Sequence, residues 1–165
     1  MNEKDFKKLI DKKKYQVFLC RTRVNGPFIF ASHFYFVTNQ KGKINRWEVI
    51  MFQARRKCKH YGNLLNNYLK PWEGFLINPF NIKSRRFEGE VYNVIEGKLA
   101  KVMTNFINKT PKIYPFIDKY LLWPGPNSNT FIQWIINHFP ESKLKLSWNA
   151  FGKGYANKIQ KIKIK

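Results

Sequence analysis

The spacing of apolar positions changes several times along the chain, and each change predicts an element. Phe6, Leu9 and Ile10 share one side of a helical wheel, so residues 3–14 read as a short helix, with Lys12, Lys13 and Lys14 near its negative end. YQVFLCRTRV, residues 15–24, reads as a strand. Asn25-Gly26-Pro27 signals a turn, and PFIFASHFYFV, ending at Val37, a second strand rich in aromatics. Asn39-Gln40-Lys41-Gly42 turns the chain into a third strand, INRWEVIMF, residues 44–52. LLNNYLKPW reads as a short helix that stops before Pro71, and Phe75–Asn78 as a short strand. Val91, Val94, Ile95, Val102, Met103 and Phe106 recur at helical spacing and predict one helix from about Glu90 to Ile107, weakened at Gly97. Pro111, Pro115, Pro124 and Pro126 punctuate a loop-rich stretch. Phe131, Ile132, Ile135 and Phe139 then share the face of another helix, capped from among Asn127, Ser128, Asn129 and Thr130 and ended by Pro140. In the last segment Ile162 and Ile164 alternate with lysines, as in a guarded edge strand or a frayed tail.

This pattern predicts an α+β fold, a small antiparallel sheet packed with helices. It divides into an N-terminal helical extension (1–14), a single domain (15–157) and a basic C-terminal strand or tail (158–165). There is no internal repeat and no second-domain boundary. The hairpin through Lys41 has a consequence for chemistry. With its centre near that residue, His33 falls opposite or diagonal to Glu48, on one face of the sheet. A slip of one residue in register would separate them.

A chain of 165 residues with 17% aromatics can bury a core without disulfides or a structural metal. Cys20 lies in an apolar strand pattern and reads as core, whereas Cys58 lies among Arg and Lys, which would lower the pKa of an exposed thiol. There is no CxxC and no Cys/His group with zinc spacing, so neither metal nor cofactor is expected. No stretch is long and apolar enough for a transmembrane helix, and the N-terminus does not read as a signal peptide, so the expected location is cytoplasmic. The formal charge is +21, from 31 Lys+Arg against 10 Asp+Glu. Such a field attracts polyanions, either nucleic acid or an anionic surface. A bias toward AT-rich codons would give a similar composition. The densest basic run before the tail is Arg55, Arg56, Lys57 and Lys59, with further basic residues at 83–86 and after Gly152.

WPGPNSNTF, residues 123–131, is the most specific segment. With the Arg-Thr of FLCRTRV, the His of FASHFYFV, RWEVI, YPFIDKYLLWPGPNSNTFIQW and NAFGKGY in the same order, the chain resembles a bacterial family catalogued as domain of unknown function 3750. More loosely, it resembles circularly permuted papain-like proteins of the NlpC and lecithin:retinol acyltransferase types. In those, a strand histidine precedes a cysteine at a helix N-terminus within an Asn-Cys-x-x-Phe pattern. That likeness implies a permuted papain-like fold. It places Ser128 at the cysteine position, His33 at the histidine position and Glu48 as the orienting residue.

The resemblance also implies a hydrolase or acyltransferase relative acting on an amide or ester, or an inactive one, because serine stands where the chemistry uses cysteine. A helix N-terminus depresses a thiol pKa, but a serine stays a hydroxyl and needs a general base. His33 would be that base, held by Glu48, with backbone N–H groups near Asn129 as an oxyanion hole. Asn127, Asn129, Arg21 and Tyr120 are the further oxyanion or pocket candidates, and Arg23 and Asp118 are charged neighbours without a placement. Each residue also has a plain structural reading. Ser128 would be a cap or a ligand contact, His33 a half-buried hydrogen-bonded histidine, and Glu48 the partner of a cation. His60 in its basic run and His138 near a helix C-terminus lack metal-ligand company. The alternative function is a non-enzymatic basic domain that binds nucleic acid or another polyanion.

Overall fold

The computed structural model describes residues 1–24, 30–51, 59–74 and 88–158, with Lys59 and His60 described by backbone alone. Six strands form one sheet: β1 Tyr15–Arg23, β2 Ser32–Gln40, β3 Lys43–Val49, β4 Lys59–Tyr61, β5 Leu64–Asn66 and β6 Glu90–Glu96. Their order is β4-β5-β3-β2-β1-β6, and every neighbouring pair is antiparallel. The helices are α1 Glu3–Leu9, α2 Gly97–Ile113 and α3 Ser128–His138. The chain is therefore a small α+β domain, as its patterning predicts.

The sheet is covered on both faces, which explains the continuous apolar runs of β1 and β2. On one face Val17, Leu19, Phe34, Phe36, Trp47 and Val49 pack against Met103 and Ile107 of α2 and Phe131, Ile132 and Ile135 of α3. On the other, Phe18, Cys20, Tyr35 and Val37 lie under Phe6 of α1, with Trp72 and Val91 beside them. Helix α1 ends earlier than its apolar spacing predicts. The Asp11 carboxylate accepts a hydrogen bond from Lys13 N at 2.8 Å, so local turn chemistry takes over there.

Two elements differ in kind from the sequence pattern. LLNNYLKPW is not a helix: Leu64–Asn66 is strand β5, placed between β3 and β4, with Leu64 and Leu65 both buried. Cross-strand pairing overrides local propensity here. Glu90–Glu96 is likewise strand β6 on the edge of the sheet, and the helix begins only at Gly97. Gly97 has φ +74°, a conformation glycine adopts without strain, and it makes the corner from strand to helix. Pro111 lies inside the last turn of α2 rather than in a loop. Its missing N–H would have bonded Ile107 O; the Thr110 hydroxyl donates to that oxygen instead, at 2.7 Å. The expected strand at 75–78, the turn at 25–27, Cys58, the run Arg55–Lys57 and most of the tail lie outside the described residues.

Candidate functional site

The site forms where β3 stops and β2 continues. The last paired residues of this hairpin are Phe36 and Trp47, which leaves the start of β2 without a β3 partner. Side chains and loop backbone replace it. Asn129 Oδ1 accepts from Phe34 N at 3.1 Å, its Nδ2 donates to Ser32 O at 2.9 Å, and Asn149 O accepts from Ser32 N at 3.1 Å. The amide of Asn129 thus stands in for a strand and fastens the first turn of α3 to the sheet.

Asn127 caps that helix. Its Oδ1 accepts from Asn129 N at 3.0 Å and Thr130 N at 3.2 Å, and the Thr130 hydroxyl accepts from Asn127 N at 3.1 Å. Asn127 Nδ2 also donates to Leu122 O and Phe151 O, and Thr130 Oγ1 donates to Gly152 O at 2.7 Å. Gly152 sits at φ +84°, where a Cβ would fall 2.1 Å from Asn127 Nδ2, so only glycine fits beside the cap. In NSNT, then, Asn127, Asn129 and Thr130 are committed to scaffolding. Ser128, in the first turn, is not: its side chain faces a cavity and lies beside Tyr120. Burial raises the Tyr120 phenol pKa, and the Ser128 hydroxyl partly offsets that rise.

His33, Tyr35, Arg46 and Glu48 form a second group. Continuing the β2–β3 register by one pair sets Tyr35 across from Glu48, so His33 is diagonal to it on the same face. Its Nε2 donates to Glu48 Oε2 at 3.0 Å. Arg46, two residues before Glu48 on β3, shares that face. Its Nη2 donates to the same Oε2 at 2.7 Å, and its Nε lies 2.7 Å from Oε1. The guanidinium also donates to Lys70 O and Glu73 O and stacks 3.6 Å from the centre of the Tyr35 ring. Arg46 and Glu48 are both fully buried. Burial alone would raise the Glu48 pKa, but Arg46 and then His33 outweigh it and hold the carboxyl below its ordinary value, so it stays ionised. Sequence reasoning anticipated a cationic partner for Glu48 but did not single out Arg46. The i, i+2 spacing in RWE was the signal.

The start of α3 and, of the second group, His33 line one cavity of about 340 Å³. Ser128, His33, Ser32, Tyr120, Asn127 and Asn129 supply its polar wall. Val24, Ala31, Val49, Ile50, Leu122, Trp123 and Phe151 supply the larger apolar part. Of the residues predicted from sequence, Ser128, His33, Tyr120, Asn127 and Asn129 line this space. Glu48 stands behind His33. Arg21 does not line it, because it pairs with Glu90 on the neighbouring edge strand, Nη2 to Oε1 at 3.0 Å, and lies over the Tyr92 ring. The N–H groups of Asn129 and Thr130 cannot form the expected oxyanion hole, since Asn127 takes both. His138 donates from Nδ1 to Trp134 O at 2.8 Å, within the aromatic core. Cys20 is fully buried, and burial pushes its thiol pKa up to about 12, so it is a packing residue. The basic run Arg55, Arg56 and Lys57, and the side chain of Lys59, fall outside the described residues. Among the described residues no group of His, Cys, Asp or Glu could hold a metal ion, and no helix is long and apolar enough to cross a membrane.

A six-stranded antiparallel sheet, with a helix N-terminus stitched to its second strand beside a mostly apolar cavity, defines a small α+β domain. A family model matches residues 12–155, nearly the whole of this architecture. The chain belongs to that family, described as protein of unknown function, DUF3750. No curated protein and no solved structure matches the chain.

Proposed function

We propose that the cavity is an acyl-transfer site, in which Ser128 attacks the carbonyl of an ester or amide whose apolar part lies against Leu122, Trp123 and Phe151. The observation that carries this reading is one mostly apolar cavity lined both by a first-turn serine that takes no part in the helix cap and by His33, the end of a buried His33–Glu48–Arg46 chain. His33, oriented by Glu48, takes the proton from Ser128. The Oγ–carbonyl bond forms, the imidazolium returns the proton to the leaving oxygen or nitrogen, and the acyl group stays on Ser128. Water then releases it in hydrolysis, or a second alcohol or amine does so in transfer. Among the described hydrogen bonds none engages the Ser128 N–H, and this group together with the Tyr120 hydroxyl is the donor pair for the developing oxyanion. This arrangement supports the permuted papain-like reading, with serine in place of cysteine.

The test is labelling by a fluorophosphonate probe together with turnover of nitrophenyl esters of increasing chain length. Wild type should label and S128A should not, with H33A at least about a hundredfold slower. Labelling or turnover unchanged in S128A refutes the nucleophile. S128C should gain rapid reaction with iodoacetamide at this site, because the helix N-terminus favours a thiolate.

A further inference from the structure

Among the described residues, the three most exposed large apolar side chains lie on segments that line or adjoin the cavity. Trp148 is 78% exposed, Phe30 72% and Trp123 71%. Trp123 lines the cavity itself, with its ring edge-on to that of Phe151 at 6.1 Å. Phe30 precedes the cavity residue Ala31, and Asn149, next to Trp148, donates to Phe30 O at 2.7 Å. The exposed rings are therefore carried by segments that supply the cavity wall or directly adjoin it. Large exposed rings at or beside the rim of a cavity mark an interaction surface.

Charge indicates what the rim meets. From Lys119 to Lys158, the stretch that supplies Trp123, Trp148 and α3, there are five lysines (Lys119, Lys143, Lys145, Lys153 and Lys158) against the single acid Glu141. Lys143 and Lys145 are exposed, alternating with the buried Leu144 and Leu146, and the whole chain carries +21. Tryptophan favours the boundary between headgroups and acyl chains, where its ring is buried and its N–H stays hydrated. Lysines around such an anchor add attraction to anionic headgroups.

We propose that this rim docks on an anionic lipid surface, with the cavity mouth turned toward the bilayer. Docking stands on the rim and the charge alone. That the molecule entering the cavity is a lipid acyl ester rests also on the acyl-transfer reading. A bilayer fits better than a protein partner because the exposed rings adjoin a cavity open to solvent, and Trp123 and Trp148 lie on a lysine-rich stretch, with Lys153 Nζ held on Leu146 O and Ser147 O next to Trp148. Seated there, an acyl chain passes from the membrane into an apolar space without crossing water.

The test uses the full chain with vesicles of phosphatidylcholine, with and without phosphatidylglycerol, some carrying brominated acyl chains. Wild type should sediment with the phosphatidylglycerol vesicles, bind more weakly as salt rises, and show tryptophan quenching by the brominated chains. F30A/W148A, outside the cavity wall, should lose at least about tenfold in partitioning. It should turn over a soluble short-chain ester as wild type does, with an unchanged circular dichroism spectrum. S128A should bind vesicles as wild type does. Unchanged binding by F30A/W148A overturns docking through the rim. So does charge-only retention, in which RNA or duplex DNA competes equally for both proteins and no quenching appears. Self-association through the rim without vesicle binding overturns it too. If S128A still labels while vesicle binding follows the rim variants, the acyl-transfer chemistry falls and docking stands; the reverse pattern leaves the chemistry standing.

Discussion

Replacing Glu48 by glutamine keeps the shape of the site and removes one charge. Arg46 then sits fully buried beside a neutral amide in place of the carboxylate, still donating to Lys70 O and Glu73 O and stacked on Tyr35. Breaking a buried pair in this way costs about 3–5 kcal/mol, a large share of the roughly 5–15 kcal/mol that holds a domain together. The pH dependence carries the sharper signature. The Glu48 pKa is lower in the folded than in the unfolded chain, so ionisation favours folding. That contribution is fully present above the unfolded value of about 4.3. It is lost as pH falls through the folded value, where the wild-type carboxyl becomes protonated and resembles the amide. Urea unfolding followed by tryptophan fluorescence and circular dichroism should show E48Q less stable by about 3–5 kcal/mol at neutral pH, with the gap shrinking below about pH 4. Adding R46M to E48Q removes the orphaned cation and should restore about 1 kcal/mol or more relative to E48Q alone. A loss under about 1 kcal/mol at neutral pH, or a gap that does not close in acid, would refute the buried-pair account.

Other consequences concern the stitched helix and the core thiol. N127A removes the cap and two donors to loop carbonyls and should cost about 2 kcal/mol or more in the same unfolding assay, whereas S128A should stay within about 1 kcal/mol. G152A forces a side chain onto Asn127 at positive φ and should cost about 2 kcal/mol or more; a neutral result would mean that the NSNT and NAFG segments are not locked together. In a C58S background Cys20 should resist Ellman's reagent at mildly alkaline pH in the folded protein and react on unfolding, since burial pushes its pKa up to about 12. Rapid reaction of the folded protein would contradict that burial.

The hairpin and the His33–Glu48 pair were legible because side-chain alternation and a two-residue turn at Lys41-Gly42 are local rules, and they fix the diagonal without the rest of the fold. The start and cap of α3 were legible for the same reason, since NSNTF carries its own capping chemistry. The kind of structure at residues 64–66 and 90–96 was not. Leu64-Leu65 and Val91-Val94-Ile95 satisfy either period, and only the unpaired edges of β3 and β1 select strand. Nor could spacing show that Asn127, Asn129 and Thr130 would be consumed in joining α3 to β2 and to residues 151–152 while Ser128 faces the cavity. Those bonds span up to 97 residues of sequence, and each depends on where β3 stops. The choice of Arg46 as the partner of Glu48 has the same character. RWE places the two on one face, but burying both charges requires the 70–74 segment to bring its carbonyls to the guanidinium, and long-range packing alone brings them there.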